Sequence, residues 1–109
     1  MSTDSALEYH TVTIANNASV SSGVNLKGRR LVGWLNPSTL TNTAFDVQHS
    51  MDGGTNYYDI TPLKAVSVTV DEWTSLDPAD TVLAQYVRLQ GAGNEGGART
   101  IILVSMQIV

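Results

Sequence analysis

The sequence predicts an all-β protein, an antiparallel β-sandwich of about eight strands with a jelly-roll-like arrangement. Three observations predict this fold class. Apolar and polar residues alternate with a period of two, which places successive side chains on opposite faces of a strand. Gly, Asn, Asp and Pro residues interrupt these segments at short intervals, as in sandwiches and jelly rolls. No segment carries a helical apolar periodicity of useful length.

The first half of the chain contains four predicted strands, at residues 9–15, 23–28, 29–35 and 44–50. In the first strand Val12 and Ile14 share one face, and threonines occupy the other. The third strand ends before Pro37, because proline cannot donate a hydrogen bond to a ladder. The fourth strand alternates most regularly, with Phe45 and Val47 on the face that we assign to the core.

The second half contains five shorter or less regular segments, at residues 57–60, 65–70, 73–76, 85–90 and 99–109. Asp52-Gly53-Gly54 predicts a tight turn before the first of them, since glycine adopts positive φ without steric cost. Residues 77–80 predict a turn with at most one helical turn. The last segment is partly apolar on both faces, which is typical of a strand buried on both sides or an edge covered by another chain.

The length of 109 residues is enough for one domain. We assign residues 9–109 to a single β-sandwich domain and the polar residues 1–8 to an N-terminal arm outside its core. The chain has no cysteine, so a disulfide framework and a thiolate metal site are excluded. This composition fits folding in a reducing cytoplasm.

The charge pattern excludes two classes of partner. The net charge is −4, and the six basic residues are scattered, so no basic stripe could neutralise nucleic-acid phosphates. The longest apolar run, residues 101–104, is too short to span a bilayer, and the N-terminus lacks the features of a secretory signal. Charged residues make up 15%, against about 25% in a typical soluble domain. Either threonine-rich strands or a surface covered by other subunits would explain this deficit.

Residues 91–96 match the letters of the glycine-rich dinucleotide fingerprint. The fingerprint requires a helix whose N-terminus receives the pyrophosphate, but only a predicted strand follows here. We therefore interpret residues 91–98 as a mobile hairpin loop and expect no cofactor.

The other candidate catalytic residues do not form a recognisable group. We expect His49 to be a hydrogen-bonded core histidine and His10 to lie on the surface, and no serine occupies a nucleophile elbow. Asp46, Asp52 and Asp59 surround the predicted turn and could bind a structural calcium, although a capped turn is the favoured interpretation. The sequence predicts neither an enzyme nor a catalytic metal.

The aromatic residues are the best candidates for a binding surface. We expect Phe45 and one tryptophan in the core, and only one of two adjacent tyrosines can face inward on a strand. The remaining rings could stack on sugars or anchor a protein interface. The four candidates for this interface or glycan platform are Trp34, Tyr57, Tyr58 and Trp73.

Two parts of the chain carry a resemblance to known proteins: Phe45-x-Val47-x-x-Ser50-x-Asp52-Gly53-Gly54-Thr55-x-Tyr57-Tyr58-Asp59, and Tyr86-Val87-Arg88-Leu89 with the closing apolar strand. Over roughly residues 29–109 the chain resembles small β-sandwich proteins of tailed bacteriophages, some of which are capsid decoration (cement) proteins. The same order of strand, Ser-x-Asp-Gly turn and aromatics is also similar to galactose-binding-like jelly rolls.

The phage resemblance implies a non-enzymatic virion structural protein that binds the major capsid protein on the outer capsid surface and stabilises the head. It also implies a homo-oligomer, with a trimer favoured, that folds in the host cytoplasm before assembly. Two alternatives remain open at this point. One is a carbohydrate-binding jelly-roll module, and the other is a component of the phage tail or baseplate.

Overall fold

The computed structural model describes residues 7–82 and 84–107, and within these ranges it confirms the predicted β-sandwich. The described residues contain nine strands: β1 (Leu7–Ile14), β2 (Val24–Asn25), β3 (Arg30–Leu35), β4 (Ala44–Ser50), β5 (Tyr58–Asp59), β6 (Val66–Ser67), β7 (Trp73–Ser75), β8 (Tyr86–Gly91) and β9 (Arg99–Met106). Two short 3-10 helices cover Thr61–Leu63 and Pro78–Thr81. No helix in these ranges has the length and apolar character needed to cross a membrane.

The strands form two antiparallel sheets that pack face to face. The front sheet has the order β1-β9-β3-β7, and the back sheet has the order β2-β8-β4-β5, with β6 also paired to β4. The chain passes from one sheet to the other at nearly every connection, and only β4, β5 and β6 follow one another within a sheet. This winding gives the jelly-roll arrangement that the turn spacing predicted.

The two ends of the predicted domain lie side by side in the front sheet, as strands β1 and β9. Residues 1–6 of the predicted arm lie outside the described residues, whereas Leu7 and Glu8 belong to β1 and lie opposite Met106 and Ser105. At the other end, β9 lies between β1 and β3. The doubly apolar last strand is therefore central in its sheet, and its neighbours are strands of the same chain.

The core fills the space between the sheets, with strands β1, β3, β4, β8 and β9 contributing most of it. Phe45 is buried as predicted. Trp34 is fully buried, and its indole Nε1 donates to Asn36 Oδ1 at 2.8 Å. Trp34 is thus the predicted core tryptophan, and its assignment as a candidate surface platform was wrong.

A β-bulge explains why Trp34 faces inward. Leu31 is buried, so strict alternation would place Gly33 inside and Trp34 outside. The register of β3 against β9 shifts between Leu31 and Gly33, which inserts one extra residue into β3. An extra residue reverses the orientation of every side chain that follows it. Leu35 therefore points outward and is 45% exposed.

The glycine-rich loop is anchored rather than free, contrary to expectation. The Glu95 side chain is fully buried, and its carboxylate accepts hydrogen bonds from Thr41 N at 2.7 Å, Asn42 N at 2.9 Å and Arg99 Nε at 2.9 Å. Burial on its own would raise the pKa of Glu95, but these hydrogen bonds outweigh it and lower the pKa to about 2. The carboxylate ties the loop to the segment that precedes β4.

Candidate functional site

The outer face of the front sheet carries an apolar groove. Two rows of outward-facing residues cross this face, one through Tyr9, Val104 and Gly33 and the other through Thr11, Ile102, Leu35 and Trp73. Between them lies a groove of about 330 Å³. Six side chains line the groove, and none of them is acidic or basic: Leu7, Tyr9, Leu35, Trp73, Ile102 and Val104. We call this surface the front groove.

Trp73 forms one wall of the front groove by lying against the backbone of Gly33. A Cβ atom at Gly33 would be 2.6 Å from Trp73 Cζ2 and 2.1 Å from the carbonyl oxygen of Thr74. The backbone of Gly33 also has φ of +150°, which side chains rarely tolerate. The absence of a side chain at this position therefore leaves the space in which the indole lies.

The walls of the front groove are exposed, whereas its floor is covered. Tyr9 is 66% exposed, Trp73 46%, Leu35 45% and Leu7 41%, but Val104 is 4% exposed. Together the four exposed fractions amount to about two complete side chains, on the order of 400 Å² at about 200 Å² per large side chain. The largest contiguous apolar patch on a typical soluble monomer measures roughly 300–600 Å² and is often functional.

Replacing Gly33 by alanine should disturb the front groove and the pairing of β3 with β7. We expect a loss of stability of about 1–3 kcal/mol, because the new Cβ meets both a backbone carbonyl and the indole at an unfavourable φ. Urea unfolding measures the loss, and a changed fluorescence of Trp73 reports its displacement. Gly93→Ala is the matched control, since its Cβ would meet no atom within 4 Å. Equal stability of the two variants would contradict the described packing of Trp73.

The predicted aromatic candidates fall on different surfaces. Trp73 lies in the front groove and Trp34 in the core. Tyr57 and Tyr58 belong to the back sheet side, far from the groove in the fold. Tyr9 was not among the predicted candidates, although alternation in β1 gives a signal for it: Tyr9 shares the threonine face, opposite the buried Val12.

The outer face of the back sheet is polar. The Arg88 guanidinium lies 4.1 Å from the centre of the Tyr57 ring, and Arg88 Nε donates to Gln48 Oε1 at 2.8 Å. Gln48 Nε2 donates in turn to Asp59 Oδ1 and to Gln90 Oε1. These contacts join neighbouring strands to one another. Tyr58, on the edge strand β5, is 64% exposed outside this network.

The aspartates around the predicted turn have separate structural roles. Asp52 Oδ1 accepts hydrogen bonds from Ser50 Oγ and from the amides of Thr55 and Asn56, which is the capped turn favoured by the sequence. The Asn56 amide and the Ser50 hydroxyl hold the pKa of Asp52 well below its usual range. Within residues 7–82 and 84–107, no three His, Asp or Glu side chains are grouped so that they could hold a metal ion.

The two histidines lie on different sheets. His10 faces inward with Val12, and its Nε2 is 2.9 Å from Ser105 Oγ, so the expectation of a surface histidine was wrong. Burial lowers the pKa of His10. His49 is half-buried and borders a smaller cavity of about 200 Å³. Its buried Nδ1 has no hydrogen-bond partner among the described residues, so the expected satisfied histidine is not observed.

The front groove is the surface of the described residues that best indicates a function. No protein-family model, curated protein or solved structure matches this chain. The groove is apolar and uncharged, and two aromatic side chains bound it. These properties suit contact with another molecule through surface burial.

Proposed function

We propose that this protein is a non-enzymatic virion structural protein, a decoration protein that binds the major capsid protein on the outside of a phage head. The observation that carries the proposal is the uncharged front groove with Tyr9 and Trp73 at its walls. Tyrosine and tryptophan are enriched at the energetic centres of protein interfaces. The sequence resemblance to phage sandwich proteins supplies the setting, and the β-sandwich is the fold that this resemblance implies.

The size of the front groove fits the centre of a protein interface. A standard interface buries about 800 Å² on each partner, with an apolar core and a polar rim. The exposed apolar surface of the groove, on the order of 400 Å², would supply that core. At about 25 cal/mol per Å², its burial contributes about 10 kcal/mol. This is comparable to the cost of association, about 4–15 kcal/mol, so other contacts would set the net affinity of one copy.

Charge also favours an interface at the front groove. The chain carries a net charge of −4, and none of the six side chains that line the groove is acidic or basic. A partner that covers the groove would therefore not have to strip water from an ion, which is the most costly part of burying a polar surface. On a symmetric shell the same contact would be repeated at every equivalent position.

The direct experiment mixes the purified protein with heads that lack decoration, assembled from the major capsid protein of the phage that encodes it. We expect binding at micromolar concentration, measured by co-sedimentation. Tyr9→Ala should weaken binding by at least about tenfold, as expected for a central aromatic residue. Tyr58→Ala is the matched control. Tyr58 is 64% exposed and Tyr9 is 66% exposed, but Tyr58 lies on the back sheet. Its effect should be less than about twofold.

Two results would overturn this proposal. Failure of the unaltered protein to bind heads at micromolar concentration would reject the decoration role, and binding to purified tails instead would move the proposal to a tail or baseplate component. If Tyr58→Ala abolished head binding and Tyr9→Ala left it intact, the front groove would be rejected as the contact surface. Unchanged melting temperatures would show that both variants are folded.

A carbohydrate-binding module is the second candidate, and the exposed rings of Trp73 and Tyr9 are the observation in its favour. Sugars need polar groups beside the stacking rings. Among the six side chains of the groove lining, only the Tyr9 hydroxyl and the Trp73 indole N–H can form hydrogen bonds. The groove composition therefore favours a protein partner, and a glycan array on which Trp73→Ala abolishes a signal would reverse this preference.

A further inference from the structure

The outer edge of β1 offers unpaired backbone groups. β1 is the first strand of the front sheet, and all eight of its residues pair with β9 on one side. On its other side, Thr13 exchanges hydrogen bonds with Ser22, through Thr13 N to Ser22 Oγ and Ser22 N to Thr13 O. Because backbone direction alternates along an antiparallel strand, Tyr9 and Thr11 also direct their N–H and C=O groups away from β9. No strand of residues 7–82 and 84–107 covers them.

This edge has few of the features that keep edge strands from pairing with other chains. β1 contains no lysine and no proline, and its register against β9 runs without a bulge. Such features normally blunt exposed edges. The side chains on its outer face, Tyr9 and Thr11, are uncharged and exposed. The backbone geometry therefore identifies the chemistry of the occupant as another extended strand.

We propose that the occupant is a second copy of this chain, with the two β1 strands antiparallel about a two-fold axis at Tyr9. This inference goes beyond the proposed function and does not depend on it. The two front sheets would join into one continuous sheet. Since a new strand adds in the plane of the sheet, both front grooves would stay open on its outer face.

The side chains of β1 favour pairing with an identical strand. With Tyr9 opposite its own copy, the exposed rings form a cross-strand aromatic pair, which stabilises antiparallel strands. On the inner face, the same register places Glu8 opposite His10 of the other copy, twice by symmetry. An inward-facing charge such as Glu8 normally opposes pairing with an unrelated strand. Within its own chain the Glu8 carboxylate lies 3.7 Å from His10 Nε2 and 3.9 Å from Arg29 Nε, and the histidine of the other copy would be a further polar neighbour.

The other free edge of the front sheet is a poorer partner. β7 has only three residues, so a ring built from β1 and β7 could pair no more than those three with the open part of β1 around Tyr9 and Thr11. A two-fold arrangement uses the longer edge on both copies, and two-fold dimers are the commonest symmetric assembly of soluble proteins. The structure thus favours a dimer in solution over the trimer that the sequence resemblance implies.

The experiment uses the absence of cysteine from the natural chain. Tyr9→Cys places a thiol on the two-fold axis, where opposite Cα atoms are about 5.5 Å apart, a separation that allows a disulfide. Under mild oxidation this variant should give a cross-linked dimer. Thr11→Cys is the matched control on the same strand and face. Its copies would be about 14 Å apart, so it should remain uncross-linked.

Light scattering and hydrogen exchange on the unaltered full chain complete the test. We expect the mass to rise from 11.7 kDa towards twice that value between about 1 µM and about 1 mM. The Tyr9 amide should exchange more slowly as the concentration rises. A constant monomer, a stable trimer, or cross-linking of Thr11→Cys as efficient as that of Tyr9→Cys would overturn the proposal. Head binding by Thr11→Cys tests the proposed function separately.

Discussion

Replacing Glu95 by alanine should destabilise the protein by about 3–5 kcal/mol, the usual cost of removing one member of a buried ion pair. The substitution would leave the amides of Thr41 and Asn42 without their acceptor and would leave Arg99 without its carboxylate. A domain has about 5–15 kcal/mol of total stability, so this loss is a large fraction. Urea unfolding followed by fluorescence would measure it.

Glu72→Ala is the control for Glu95→Ala. Glu72 is exposed, and its carboxylate has no hydrogen-bond partner in the part of the chain that the structure describes. Its removal should therefore change the free energy of unfolding by less than about 0.5 kcal/mol. Similar losses for the two variants would contradict the anchoring of the glycine-rich loop by Glu95.

The same carboxylate predicts how stability depends on pH. The pKa of Glu95 in the folded protein is about 2, below its ordinary value of 4.5. A lowered folded-state pKa means that the contribution of Glu95 is complete above pH 4.5 and is lost as the pH falls towards 2. Over that range the unaltered protein should lose stability more steeply than a Glu95→Gln variant. Parallel curves would contradict the lowered pKa.

Replacing Trp34 by alanine should cost about 3–5 kcal/mol, as for other large core aromatic residues. The substitution leaves a cavity between the sheets and removes the donor that satisfies Asn36 Oδ1, which is itself buried. Trp34→Phe should cost less, because it keeps much of the ring and loses mainly the hydrogen bond. Chemical denaturation of the three proteins gives the comparison.

Trp73→Ala is the control of identical chemistry for Trp34→Ala. Trp73 is 46% exposed in the front groove, so its removal should cost clearly less stability than the removal of Trp34. The expected order of stability is thus unaltered protein, Trp73→Ala and then Trp34→Ala. The reverse order would contradict the inward orientation that the bulge in β3 gives to Trp34.

The strands were largely predictable because alternation and turn residues are local signals. β4 has the predicted bounds, Ala44–Ser50, where a regular alternation ends at the Asp52 turn. The bulge in β3 was not predictable, since Leu31 to Leu35 reads as an ordinary apolar strand. A bulge is a property of the pairing between two strands, and its position depends on the register with β9.

The front groove could be predicted only in part for the same reason. Trp73 was among the sequence candidates, and alternation in β1 places Tyr9 outside. Nothing local shows that Gly33 of β3 lies beneath the Trp73 indole, because the two residues meet only through the pairing of β3 with β7. The anchoring of Glu95 was hidden as well, since the two backbone amides that it accepts from, those of Thr41 and Asn42, lie more than fifty residues earlier in the chain.

The central position of β9 has a consequence for biosynthesis. Of the nine described strands β1 leaves the ribosome first, yet its only full-length neighbour among them is the strand that ends at Met106. The front sheet therefore cannot close until translation has passed that residue, and the nascent chain must carry β1 and β3 without the strand that joins them. Pairing across almost the whole sequence is typical of β-proteins that fold in milliseconds to seconds. Factors that shield nascent apolar segments should therefore matter most during the synthesis of the last strand.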